Sequence, residues 1–120
     1  KLVGSKEEVL DLKNKMVDSE ISPKKDVLKQ DWGNIKSVIP VSSGGLHPGI
    51  VPEIIKMFGK NCVVQLGGGI HGHPRGTKYG AMALRQAMES YNEGISLKEF
   101  AKNHRELGEA LNKWGFSKPI

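Results

Sequence analysis

Two glycine clusters hold most of the chemistry open to this sequence: Ser42-Ser43-Gly44-Gly45 and Gly67-Gly68-Gly69. Where Cβ is missing, backbone N–H groups can converge on an anion as a nest. The Ser43 hydroxyl adds a donor for the same ligand. A single Gly-Gly is equally well explained as a tight turn, so the argument rests on the cluster occurring twice. His47, His71 and His73 fall in the same two segments, and with a different neighbourhood they would read as a zinc or iron site. No cysteine pair and no nearby Asp or Glu completes a ligand set, so their expected part is to donate hydrogen bonds or to position the loops. The stretch from Gly67 to Gly76 lacks the Gly-Lys-Ser or Gly-Lys-Thr ending of a mononucleotide loop. It also lacks the spacing and later acidic residue of a dinucleotide fingerprint.

The elements around these clusters follow from pattern. Ser5-Lys-Glu-Glu8 forms a capping box that opens a helix from about Lys6 to Asp18, with Val9, Leu12, Met16 and Val17 near helical spacing. Ser19 to Gly33 reads as a connection. Val38, Ile39 and Val41 form a buried strand that feeds the first glycine cluster, although Pro40 cannot donate to a ladder. Pro52 in the first turn and Gly59 past the end frame a helix over Val51 to Phe58. The unit then repeats, with a strand over Cys62 to Leu66, the second glycine cluster, and a helix from Tyr79 to Glu93 stopped by Gly94. A second capping box, Ser96 to Glu99, starts one final helix whose stripe runs Leu97, Phe100, Ala101, His104, Leu107, Leu111 and Trp114.

Apolar strands alternating with helices predict a parallel βαβ unit in an α/β fold. Two strands cannot complete such a sheet, so the remaining strands must come from further sequence or a partner chain. Both clusters then sit at the carboxyl ends of neighbouring strands, where parallel α/β folds bind ligands. The pair matches the phosphate site formed by the last two loops of a (β/α)8 barrel.

Composition bounds the partners. A chain of 120 residues is at most one ordinary domain. Its apolar runs are far shorter than the ~20 residues of a membrane span, and its single cysteine, Cys62, can form no intrachain disulfide. A soluble protein of the reducing cytoplasm is expected, with no membrane partner. Eighteen Lys and Arg against thirteen Asp and Glu give a net charge of +5, which favours anions in general. The basic residues are interleaved with acids along helices and accompany no aromatic-basic module, so nucleic acid is not an expected partner.

The residues also resemble a known family. Pro40-Val-Ser-Ser-Gly-Gly-Leu-His47 and Val64-Gln-Leu-Gly-Gly-Gly-Ile-His-Gly-His-Pro74 look like the last two strand-loop segments of the ribulose-bisphosphate carboxylase (RuBisCO) large chain. The Leu-Gly-Gly-Gly and Leu-His-Pro-Gly variants are nearest to archaeal form III. Lys1-Leu-Val-Gly4 is similar to the family's Lys-Leu-Glu-Gly mobile-loop segment, with Val3 in place of the usual Glu, and Lys113-Trp-Gly115 fits the archaeal carboxy terminus.

The resemblance implies that residues 1–120 are the carboxy-terminal part of a (β/α)8 barrel catalytic domain: helix six, strands seven and eight with their helices, and a terminal helix. It implies a lyase adding CO2 to ribulose 1,5-bisphosphate to give 3-phosphoglycerate, with O2 as the competing substrate of a monooxygenase side reaction. In archaea this activity would serve AMP and nucleoside degradation. Lys1 would be the catalytic loop lysine that stabilises the nascent carboxylate. Ser43 would bind the sugar-derived part of the substrate. Gly44, Gly45, Gly67 and Gly68 would hold one phosphate through backbone N–H groups, with Gln65 and Leu66 in the same stretch. Mg2+, held through a carbamylated lysine, would be bound by residues outside this segment. Partners would be the remaining barrel, the amino-terminal domain of a second subunit, and a homodimer or ring of dimers. The segment alone is then expected to be inactive. Alternatives are a RuBisCO-like enolase or isomerase of sulfur salvage, or a barrel piece acting as a non-catalytic assembly module.

Overall fold

A computed structural model describes residues 5–116. Helix α1 (Lys6–Val17) begins as its capping box dictates, with the Ser5 hydroxyl accepting from the Glu8 N–H at 3.2 Å. No residue of α1 is buried, although Val9 packs partly against the core. The expected connection after it contains a small antiparallel pair, β1 (Glu20–Ile21) with β2 (Gln30–Asp31). Strands of two residues are too short to show alternation, which is why pattern did not reveal them.

Strands β3 (Val41–Ser43) and β4 (Val63–Gln65) pair in parallel, with Val41 opposite Val63 and Ser43 opposite Gln65. The first strand therefore lies later than the expected Val38–Val41 run. Pro40 marks the boundary: it has no N–H to give, but its carbonyl accepts from the Val63 N–H at 2.9 Å. Nor are both faces buried. Ser42 and Val64 turn toward the helices, while Val41, Ser43, Val63 and Gln65 lie exposed on the other side. Val38 and Ile39 are also exposed.

Between the strands, a 3-10 turn (Pro48–Ile50) runs into α2 (Val51–Phe58), with Pro52 in its first turn and Gly59 at its end. After β4 the chain enters a short helix, α3 (Gly68–His71), then α4 (Thr77–Asn92), which starts two residues earlier than the pattern indicated. The stripe expected as one final helix is broken into α5 (Leu97–Phe100) and α6 (Arg105–Trp114). His104 leaves the helical conformation (φ −128°, ψ 89°), its Nδ1 lies 2.7 Å from the Phe100 carbonyl, and its ring stacks on Phe100. The break keeps the stripe on one side, so spacing alone conceals it.

Helices α2, α4, α5 and α6 share one core: Val51, Ile55, Ala87, Phe100, Leu107 and Leu111. A second cluster joins Leu46 to Ile50, Ile54 and Phe58. Val64 and Leu66 pack against both, which ties the sheet to the helices. Helices α3 and α4 approach so closely that a Cβ on Gly80 would lie 2.0 Å from the Ile70 carbonyl oxygen. No helix among the described residues is long and apolar enough to cross a membrane.

Candidate functional site

The register of β3 and β4 brings the expected site residues together. Because Ser43 lies opposite Gln65, the chain leaves both strands at the same level, and the two glycine clusters emerge side by side. Gly44 (φ 98°) and Gly45 (φ 62°) use left-handed backbone that L side chains rarely adopt. Ser43, Gly44, Gly45, Gln65, Gly67 and Gly68 are all exposed here. Leu66 differs, since its side chain is half-buried against both core clusters and only its backbone can take part. Lys1 lies outside the described residues.

Adjacent glycines in the second cluster do different work. Among the described residues a Cβ on Gly67 or Gly68 would meet nothing within 4 Å, so their packing does not require glycine at either position. These two residues open α3, where N–H groups have no intrahelical carbonyl to bond. A Cβ on Gly69 would lie 2.1 Å from the Leu46 carbonyl oxygen and 2.7 Å from the His47 Cα. Gly69 is thus where the second loop rests on the first.

The histidines are absorbed into this scaffold. His73 is buried, and its Nε2–H donates to the Glu106 carbonyl at 3.0 Å while its Nδ1 accepts the Arg75 N–H at 3.2 Å. His71 Nδ1 pairs with the Thr77 hydroxyl at 3.1 Å. The His47 ring stacks against Trp114, with centroids 6.1 Å apart, and burial pushes its pKa down, which favours the neutral ring. Among the described residues no group of three or more His, Cys, Asp or Glu could hold a metal ion.

Behind the second loop lies a polar network that pattern reading missed. The Arg75 Nε donates to Glu109 at 2.7 Å and its NH2 group to Glu106 at 2.8 Å, while the guanidinium sits 3.9 Å from the Tyr79 ring centre. Gln86 bridges α4 to α6, giving its amide N–H to Glu106 and taking the Leu107 N–H. The Gln86 amide, the residue's own backbone N–H and Arg75 together hold the Glu106 carboxyl down at about 2. Arg75 and then Arg105 lower Glu109. The only advance signal was an Arg inside a glycine-rich segment, because partners more than thirty residues away leave no local pattern.

A groove of about 510 Å³ near Met16, Trp32, Ile35 and Val38 includes no residue of the glycine loops. The paired loops themselves set the exposed Ser43 hydroxyl beside the exposed glycine backbone of Gly44, Gly45, Gly67 and Gly68. Such a surface suits an oxyanion.

Residues 1–114 match the family model described as ribulose bisphosphate carboxylase large chain, catalytic domain. The chain belongs to this family. The ribulose bisphosphate carboxylase of Methanosarcina barkeri is 51% identical over 116 residues, which cover 95% of this chain and 27% of that protein. The dimeric archaeal Rubisco of Hyperthermus butylicus superposes with a TM-score of 0.83 at 49% identity, covering 92% of this chain and 27% of the other. The octameric Rubisco of Pyrococcus horikoshii, in a complex with sulfate ion, gives 0.76 at 42% identity, covering 98% and 25%. The chain therefore spans about a quarter of the length of these relatives. Its fold is that of the carboxy-terminal part of a (β/α)8 RuBisCO barrel, so the bare face of β3 and β4 is the side a closed barrel turns inward.

Proposed function

We propose that this chain supplies the phosphate-gripping end of a ribulose-bisphosphate carboxylase, a lyase that adds CO2 to ribulose 1,5-bisphosphate to yield two 3-phosphoglycerates. One observation carries the reading: parallel register sets Ser43-Gly44-Gly45 beside Gly67-Gly68, and among the described residues nothing fills the space where side chains at 67 and 68 would be. In this assignment Gly44, Gly45, Gly67 and Gly68 donate backbone N–H groups to one phosphate. Ser43 hydrogen-bonds the sugar-derived portion, and Gln65 and the Leu66 backbone line the same stretch. Holding the bisphosphate by a terminal phosphate fixes its reacting carbons, a positioning effect. Lys1 is assigned the stabilisation of the carboxylate formed when CO2 adds to the enediolate, or of the corresponding intermediate with O2.

Mg2+ and its carbamylated lysine belong in this reading to the rest of the barrel, and no step is assigned to them here. The complete enzyme is a homodimer or a ring of dimers, supported by the dimeric and octameric relatives. Archaeal relatives and the Leu-Gly-Gly-Gly and Leu-His-Pro-Gly variants support form III and disposal of bisphosphate derived from AMP. The test uses full-length protein with ribulose bisphosphate, Mg2+ and labelled bicarbonate. Labelled phosphoglycerate is expected, and its absence from well-folded, assembled protein would count against the assignment. For the metabolic role, cells lacking the gene should accumulate ribulose bisphosphate when fed AMP; an unchanged pool would remove that part of the proposal.

A further inference from the structure

Helix α6 reaches the backs of both glycine loops. On the first loop, Trp114 stacks on His47, and the Gly115 carbonyl lies against Gly49 so tightly that a Cβ there would come within 2.1 Å of its oxygen. On the second, the Lys113 Nζ donates to the Gly72 carbonyl, and the Glu106 carbonyl accepts from the buried His73. Arg75 closes the set by bridging Glu106 and Glu109, four residues beyond His71 at the end of α3. The helix is itself fixed by Leu107, Ala110 and Leu111 in the core. None of these α6 residues was among the expected substrate contacts.

We propose that Arg75, gripped by Glu106 and Glu109, is a positioning residue that seats the second phosphate loop, with α6 as the clamp that sets the spacing of both loops. The inference rests on the phosphate reading above. It has an electrostatic signature that direct binding lacks. An arginine touching the phosphate would be competed for by the two glutamates, so neutralising them would tighten anion binding. A clamp predicts the opposite, since neutral partners loosen Arg75 and let the loop N–H groups drift out of register.

The experiment compares Arg75→Ala, Arg75→Lys, the isosteric pair Glu106→Gln/Glu109→Gln, and Gly68→Ala in full-length protein. Two quantities are measured: affinity for a non-reacting ribulose bisphosphate analogue, and amide hydrogen exchange over residues 66–76. Losing aligned hydrogen bonds to a charged phosphate should weaken the analogue by about tenfold or more. That loss is expected for Arg75→Ala and for the glutamine pair, with faster exchange in the loop. Arg75→Lys should recover part of it, and adding the glutamine pair to Arg75→Ala should cause little further loss. Should Arg75→Ala not fold, the isosteric glutamine pair still decides the sign. Tighter or unchanged affinity in the pair, while Gly68→Ala weakens it, would overturn the clamp and leave the phosphate reading standing. If Gly68→Ala changes nothing either, the phosphate reading fails and this inference falls with it.

Discussion

Gly68 and Gly69 are neighbours in sequence, yet the structure gives alanine at each position a different outcome. At Gly69 the new methyl would sit 2.1 Å from the Leu46 carbonyl oxygen, whereas ordinary contact begins at 3.4 Å. One loop must retreat by about 1.3 Å, and overpacking of that kind costs about 1–3 kcal/mol. For a domain of 150–250 residues this corresponds to a fall in Tm of several degrees, at ~2–4 °C per kcal/mol. The same displacement separates the two N–H clusters, and a misplacement of ~1 Å can cost 10²-fold in rate. At Gly68 the methyl meets nothing within 4 Å among the described residues, so the change in stability should stay within about 0.5 kcal/mol. It would nevertheless enter the space assigned to the phosphate. The assay pairs calorimetric Tm with analogue affinity for both variants in full-length protein. Gly69→Ala should lower both, and Gly68→Ala affinity alone. A Gly69→Ala protein with unchanged Tm would refute the packing argument, and a Gly68→Ala protein that binds normally would refute the assignment of that space.

Other consequences can be measured separately. The Ser96 hydroxyl accepts the Glu99 N–H at 3.2 Å, so Ser96→Ala should cost ~1 kcal/mol in denaturant unfolding. Glu106 titrates near 2 in the folded chain against an ordinary 4.5. A depressed carboxyl stabilises the fold above its unfolded value and loses that contribution as pH falls toward the folded one. Between pH 4.5 and 2, Glu106→Gln should therefore show a shallower fall in Tm than the parent; parallel curves would contradict this. Burial pushes the Cys62 thiol up, so a disulfide reagent at neutral pH should modify it more slowly than a free cysteine, a difference that denaturant removes.

Features encoded within one turn of chain were the most legible in the sequence. The capping boxes at Ser5 and Ser96, the stop at Gly94, and the Pro52–Gly59 frame of α2 all follow from neighbours a few residues apart. Parallel pairing was inferable because both strands carry apolar runs and both lead into glycine. The limits of β3 were less clear, since Pro40 displaces the strand toward Ser43, and the half-open sheet defeats the rule that parallel strands are buried on both faces. The interruption at His104 was hidden because backbone turn bonds from Lys102, Asn103 and His104 carry the chain across it without moving the apolar stripe. Arg75 and its glutamates were illegible for a different reason. Their meeting depends on α6 folding back over the loops, a tertiary event with no trace in local periodicity.

The close approach of Gly80 to Ile70, alongside that of Gly69 to Leu46, provides a way to read descent. Those two positions are closed to side chains by the chain's own backbone, whatever the protein binds. In the assignment proposed above, Gly67 and Gly68 are instead kept free of side chains by the phosphate they hold. A lineage that abandoned the ligand would thus be free to drift at 67 and 68 while 69 and 80 stayed fixed, so the two pairs record separately whether a descendant still folds and whether it still holds its substrate.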